Sequence, residues 1–272
     1  MKKYINFGLI AVVGLAISSV FTFASTVSAN HVWGGYHWAR AVSPLSLNLG
    51  DNVGSAWDAS LSTSSLDWNA TSTVLRTSII AGNKDPRKCS PTLGRVEVCN
   101  SKYGNNGWLG IASIWVSGSH ITQGTVKMND TYFNTAKYNT SAWKQLVMCQ
   151  EIGHTFGLNH QDEIFTNPNL GTCMDYTDDP SGTLKTQPDN QHPNLHDYDE
   201  LAIIYTHLDA FTSAISSLFT ARGKAIENRD IDTSDSKEWG REIKKSNSGK
   251  GSIHERDLGK GDKLFTFVVW AE

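Results

Sequence analysis

A domain mixing α and β structure is what this sequence predicts, on three observations. Short apolar and β-branched runs, separated by Gly and Ser, recur between Trp33 and about Asp209. Two longer segments in the same span carry helical periodicity with capping residues at their starts. The chain has 272 residues, 10% of them Phe, Trp or Tyr, which suits a sizeable core rather than disorder.

The N-terminal element is a leader. Lys2 and Lys3 precede an apolar run from Ile5 to Phe23, and Val27-Ser28-Ala29 places small residues at a cleavage site. This pattern predicts a secretory signal peptide over 1–29 and a secreted protein beginning at Asn30. An uncleaved membrane anchor is the alternative, since the run approaches the ~20 residues that span a bilayer. No second run of that length follows Ala29. A net charge of −3 without a basic patch argues against nucleic acid as a partner.

Thr73 to Ala81 (TVLRTSIIA), Gly110 to Val116 (GIASIWV) and Thr125 to Asn129 read as strands. Ser141 to Phe156 reads as a helix, with Trp143, Leu146, Val147, Gln150 and His154 on one stripe. Asn139 or Thr140 would cap its start and Gly157 would end it. A loop rich in Asn, Asp, Pro and Gly runs from Gln161 to about Asn194, and a second helix from Leu195 to His207. After Thr212 the chain turns charged and Ser/Gly-rich, then ends on an apolar run at Leu264 to Trp270. The expected organisation is a leader over 1–29, a main domain over 30–212, and a linker with a small hairpin-like module over 213–272.

Four cysteines in an exported chain suggest two disulfides. Cys89 and Cys99 bracket a turn-rich segment, which favours pairing them and leaving Cys149 with Cys173. Three connectivities are nevertheless open, and free buried thiols are the alternative to any of them.

The stretch Cys149 to Asp162, CQEIGHTFGLNHQD, carries the chemistry. Residues four apart on a helix share a face, so Gln150 and His154 point the same way, with Glu151 beside them. Gly157 permits a sharp turn that swings His160 back toward them. Three side chains converging there would leave one position open, the plan of a catalytic zinc site with a carboxylate to take a proton from water.

This run resembles the H-E-x-x-H-x-x-G-x-x-H signature of the metzincin zinc endopeptidases, with Gln150 where the first His would stand. GTCMDY, Gly171 to Tyr176, resembles their Met-turn. YHWARAVSPLSLNLGD, with DWN at Asp67 to Asn69, is similar to matrixin-like catalytic domains. Covering roughly Trp33 to Asp209, the resemblance implies an α/β fold with a twisted, mostly parallel sheet, an active-site helix and a substrate cleft. Gly110 to Val116 would be the edge strand that pairs with an extended peptide.

The function implied is a secreted zinc-dependent endopeptidase, monomeric, acting on protein or peptide substrates with Glu151 as general base. His154 and His160 would hold one zinc ion, with Gln150 as third ligand. Met174 would floor the site, and Tyr176 would stabilise the tetrahedral intermediate or serve as auxiliary ligand. A Cys149–Cys173 bridge would staple the active-site helix to the Met-turn.

Gln150 leaves three readings open: an amide-oxygen ligand, a bystander where Tyr176 completes the metal site, or a buried amide in a metal-free site. The alternative function is accordingly a non-catalytic binding protein on the same scaffold. His192 and His196 are four apart, but Asn194 between them reads as a helix cap rather than part of a metal pair. Asp162, Asp175, Asp178 and Asp179 offer oxygens for calcium without a spaced calcium motif, so a solvated loop is expected. DPRKCSP, Asp85 to Pro91, reads as part of a disulfide loop.

Overall fold

Leu45, Leu47 and Leu49 alternate with Ser46 and Asn48, a period of two that buries one face of strand β2 (Leu45–Asn52). The computed structural model describes residues 1, 31–70, 72–214 and 231–271. The expected leader over 1–29 lies outside them apart from Met1, as does the 215–230 part of the expected linker.

The remaining strands are β1 (His37–Trp38), β3 (Leu75–Ala81), β4 (Arg95–Ser101), β5 (Trp108–Ser117), β6 (His120–Asn129), β7 (Arg241–Lys245), β8 (Gly251–Gly259) and β9 (Asp262–Trp270). They form one nine-stranded sheet ordered β3-β2-β4-β6-β5-β9-β8-β7, with β1 added beside β6. The strands read from sequence are present, each within a few residues of its expected bounds. The sheet itself corrects the expectation of a mostly parallel one. The pairs β1·β6, β2·β3, β2·β4 and β4·β6 are parallel, whereas β5·β6, β5·β9, β8·β9 and β7·β8 are antiparallel.

The second correction concerns the strand expected to meet substrate. Gly110 to Val116 lies within β5 but is not at an edge, because β9 pairs with it antiparallel along its length, from Trp108↔Trp270 to Ser117↔Asp262. The physical reason is the apolar run LFTFVVW. Leu264, Phe265, Phe267 and Val268 are buried once β9 lies beside β5, and burying such side chains contributes about 1.5–3 kcal/mol each. Two strands, β8 and β7, then extend the sheet, so the C-terminal part is three-stranded rather than a simple hairpin.

Among the described residues four α-helices accompany the sheet: α1 (Asp58–Ala70), α2 (Asp130–Phe133), α3 (Ser141–His154) and α4 (Leu195–Ile204). Thr140 caps α3 by accepting from the Trp143 amide at 3.2 Å. Asn194 caps α4 in a reciprocal box with Asp197. Both helices end two or three residues before the expected ends, α3 at His154 and α4 at Ile204. Helix α3 packs on α1 and beneath β5 and β6, and the main core joins these elements to Phe265 and Phe267 of β9. A smaller cluster of Trp108, Ile111, Trp239 and Val268 packs separately from the main core.

Two disulfides are formed, Cys89–Cys99 and Cys149–Cys173. Asp175 and Asp179, expected in a solvated loop, are instead buried. They accept from backbone amides, Asp175 from Leu170 and Asp179 from Leu184 and Lys185. Those bonds fold the loop onto itself. Among the described residues no helix is long and apolar enough to cross a membrane.

Candidate active site

Gln150, Glu151 and His154 all lie on helix α3 and are buried, none more than 1% exposed. The chain reverses at Gly157, whose φ is +100° and whose missing Cβ leaves room for the Tyr36 carbonyl. That turn brings His160 back against His154, with the two Nε2 atoms 3.0 Å apart. The Nδ1 of His154 donates to the Leu158 carbonyl at 2.9 Å, and that of His160 to Glu163 Oε1 at 3.1 Å. With the protons on Nδ1, both Nε2 atoms present lone pairs to each other. Two lone pairs at that distance repel unless a cation lies between them. Two imidazoles on one tetrahedral zinc, with bonds of about 2.0–2.1 Å, sit about 3.3 Å apart. The pair therefore fits a zinc ion.

Gln150 is turned by its own hydrogen bond. Its amide nitrogen donates to the Cys173 carbonyl at 3.0 Å, leaving the amide oxygen as the end free to act as a donor atom. The Cys149–Cys173 bridge ties the neighbouring residue of α3 to that same segment. Met174 lies against the helix: a Cβ added to Gly153 would come 2.6 Å from its sulfur and 2.8 Å from the Trp68 ring. The thioether thus packs against α3 at Gly153, beside Trp68.

Glu151 is buried without a hydrogen-bond partner for either carboxylate oxygen among the described residues. Burial holds its pKa well above the ordinary carboxylate value, opposed only by the nearby Ala112 amide, which lies outside good hydrogen-bonding geometry. Gly110 makes room for it, since a Cβ there would come 2.6 Å from Glu151 Oε1. Burial also lowers His154, with His160 adding to the effect, and lowers His160 against the opposing pull of Glu163. Such imidazoles remain neutral, the form that binds metal.

Tyr176 stacks obliquely on His160, with ring centroids 4.3 Å apart, and its buried hydroxyl has no partner among the described residues. Gly251 of β8 lies directly against that hydroxyl, leaving no room for a Cβ. The Phe267 ring of β9 lies flat on His154, centroids 4.4 Å apart and 11° from parallel. Lys244 of β7 reaches Glu163 at 2.8 Å, the carboxylate that orients His160. Desolvation raises the pKa of Glu163, but His160 and Lys244 outweigh it and hold it at about 2. Every C-terminal strand thus touches the site.

The sequence reading named Gln150, Glu151, His154 and His160; the structure sets His160 against His154, while Gln150 is bonded to the Cys173 carbonyl and Glu151 faces Gly110. The reading missed Glu163, although the i,i+3 spacing from His160 was a signal, and it missed Phe267, for which no local signal exists. His192 pairs with Asp67 at 2.6 Å, while His196 lies beside His31, centroids 4.8 Å apart. Those two histidines do not converge.

No family model and no curated protein matches the chain. Among solved structures, that of myroilysin is similar over 65% of this chain and 98% of its own, at 11% identity and a TM-score of 0.36. That likeness is too slight to argue from.

Proposed function

We propose that this chain is a secreted, zinc-dependent endopeptidase that folds with its own C-terminal strand lying where a peptide substrate would bind. The observation that carries the reading is the pair of opposed Nε2 atoms on His154 and His160, with the unpartnered carboxylate of Glu151 buried on the same helix as His154. His154 and His160 would hold the ion, with the Gln150 oxygen as third ligand. Zinc would supply Lewis acidity toward a peptide carbonyl and bring water to a pKa of about 7.

The chain's own residues do the rest. Glu151 takes the proton from the attacking water and passes it to the leaving amine. Glu163 fixes the ring and tautomer of His160, as the Leu158 carbonyl does for His154. The hydroxyl of Tyr176 is a neutral donor for the developing oxyanion, since burial together with Glu151 and Glu163 keeps its proton on. β5 offers main-chain donors and acceptors to an extended peptide. In the structure β9 uses them, and Phe267 covers His154.

A recognition sequence for a specific protease, placed between Ala214 and Ile231 in the chain from Asn30, allows the C-terminal strands to be released on demand. Casein cleavage is then followed with zinc supplied, before and after cutting, with Glu151→Ala and chelated samples in parallel. The expected result is low turnover before cutting, a rise of at least about tenfold after it, and loss in both controls. Absence of turnover after release of a folded main domain would sink the peptidase reading in favour of a binding protein. Equal turnover before and after would sink only the occlusion.

A further inference from the structure

Away from Glu151, three histidines surround one carboxylate. His37 of β1, His120 at the start of β6, and His207 beyond α4 all aim Nε2 at Asp209, at 3.7, 3.1 and 3.4 Å from its oxygens. One donor atom from each of His37, His207 and Asp209 lies within 4.8 Å of the others, while His120 stands outside that group, hydrogen-bonded to Asp209. The rings of His120 and His207 each cross that of His37 edge to face with centroids 4.9 Å apart. His37 is thus the middle of the group.

The state of His37 shows what the group lacks. Its Nδ1 donates to the Gly35 carbonyl at 2.8 Å, which turns Nε2 toward Asp209. That nitrogen is buried, has no hydrogen-bond partner among the described residues, and faces a carboxylate oxygen. The residue is only 5% exposed. His37 Nε2 and Asp209 Oδ2, 3.7 Å apart, are thus two donor atoms within reach of one cation.

Asp209 is fixed independently of the histidines. Oδ2 accepts from the Arg40 amide at 2.9 Å, and the Asp209 amide donates to the Arg40 carbonyl at 2.7 Å. Its carboxylate is therefore positioned before any metal arrives.

We propose that His37, His207 and Asp209, joined by His120 as a fourth ligand when the ion arrives, form a second metal site, for a divalent transition-metal ion and by preference zinc. Three imidazole nitrogens and one carboxylate oxygen are a borderline-soft set that suits zinc over magnesium or calcium. Four protein ligands make a closed shell, which is a structural rather than a catalytic arrangement. The ion would cross-link three stretches distant in sequence: the first strand, the β5–β6 hairpin and the chain leaving α4. The last of these leads to the C-terminal strands, so the site pins the point from which they depart.

Metal-stripped chain from Asn30 is titrated with zinc by calorimetry, and bound metal is counted by elemental analysis. The expected result is two equivalents. His207 is 56% exposed in its side chain and should tolerate replacement. His207→Ala should therefore remove one event or weaken it by at least about a hundredfold, more than the loss of an outer partner usually costs. His154→Ala should remove only the other event, so the two sites report separately. His120→Ala is the second variant, with the same loss expected as for His207→Ala. If zinc binding is identical in wild type, His207→Ala and His120→Ala, the cluster is a hydrogen-bonded ion pair and the proposal is wrong. If His154→Ala leaves every binding event intact while His207→Ala removes one, the cluster stands and the proposed peptidase zinc site is wrong.

Discussion

Gln150 shows at the scale of one residue how a weak ligand can be kept in place. An amide oxygen is a poorer donor than imidazole, but its orientation is set by the Cys173 carbonyl and the adjacent disulfide rather than by a metal. Gln150→His should therefore tighten zinc binding at the active site by about ten- to a hundredfold, a range typical of ligand-sphere changes. Calorimetric titration checks it, and an unchanged affinity would exclude position 150 from the metal. Lys127 makes a pH-dependent case. Burial lowers its pKa to about 8, although Asp232 at 3.4 Å pulls it upward. The folded state gives up this proton before the unfolded one, whose lysine titrates near 10.5. Stability therefore carries a penalty below pH 8 that fades as pH rises toward 10.5. Lys127→Met should remove that pH dependence, a difference of about 3 kcal/mol at most. Urea melts of both proteins across pH 7 to 10.5 measure it.

The elements differ in how openly the sequence announces them. Helix α3 was legible because its buried stripe has helical spacing and Thr140 stands at its start; Asn194 announced α4 in the same way. Helix α1 was not, since DASLSTSSLDWNA offers few apolar residues, and its packing rests on Ser60, Ser64 and Ser65 beside Leu61 and Trp68. The active-site set was legible because the four residues lie on one helix and the turn after it. The His37 cluster was not, because its members reach from position 37 to 209 and only the sheet brings them together. Pairing of β9 with β5 was hidden for a related reason: an apolar extended run fits any open strand of suitable length. Phe267 provides the test at this scale. Phe→Ala in a core typically costs about 3–5 kcal/mol, and here the loss falls on the contact with His154. Hydrogen exchange of the β9 amides should accelerate in Phe267→Ala well before those of β2 and β4. Uniform acceleration across the sheet would mean that the C-terminal strands unfold only with the whole.

Taken whole, the described residues form one continuous sheet in which β5, the strand proposed to receive a peptide, is already paired by β9 of the same chain. β5 and β6 are buried on nearly every residue, because α3 covers them on one side and the C-terminal strands complete the other boundaries. The arrangement also relocates the place where the sheet stops. Its last strand is β7, Arg-Glu-Ile-Lys-Lys, only five residues long, charged and mostly exposed. Short, charged strands are what keep soluble proteins from pairing edge to edge. Were the C-terminal strands to leave, the boundary would become β5, ten residues including GIASIWV, with unpaired backbone groups and an apolar surface. A released enzyme would then be prone to self-association. Its working life would be short unless substrate took the vacated place, and activity and solubility would be traded against each other by a single strand.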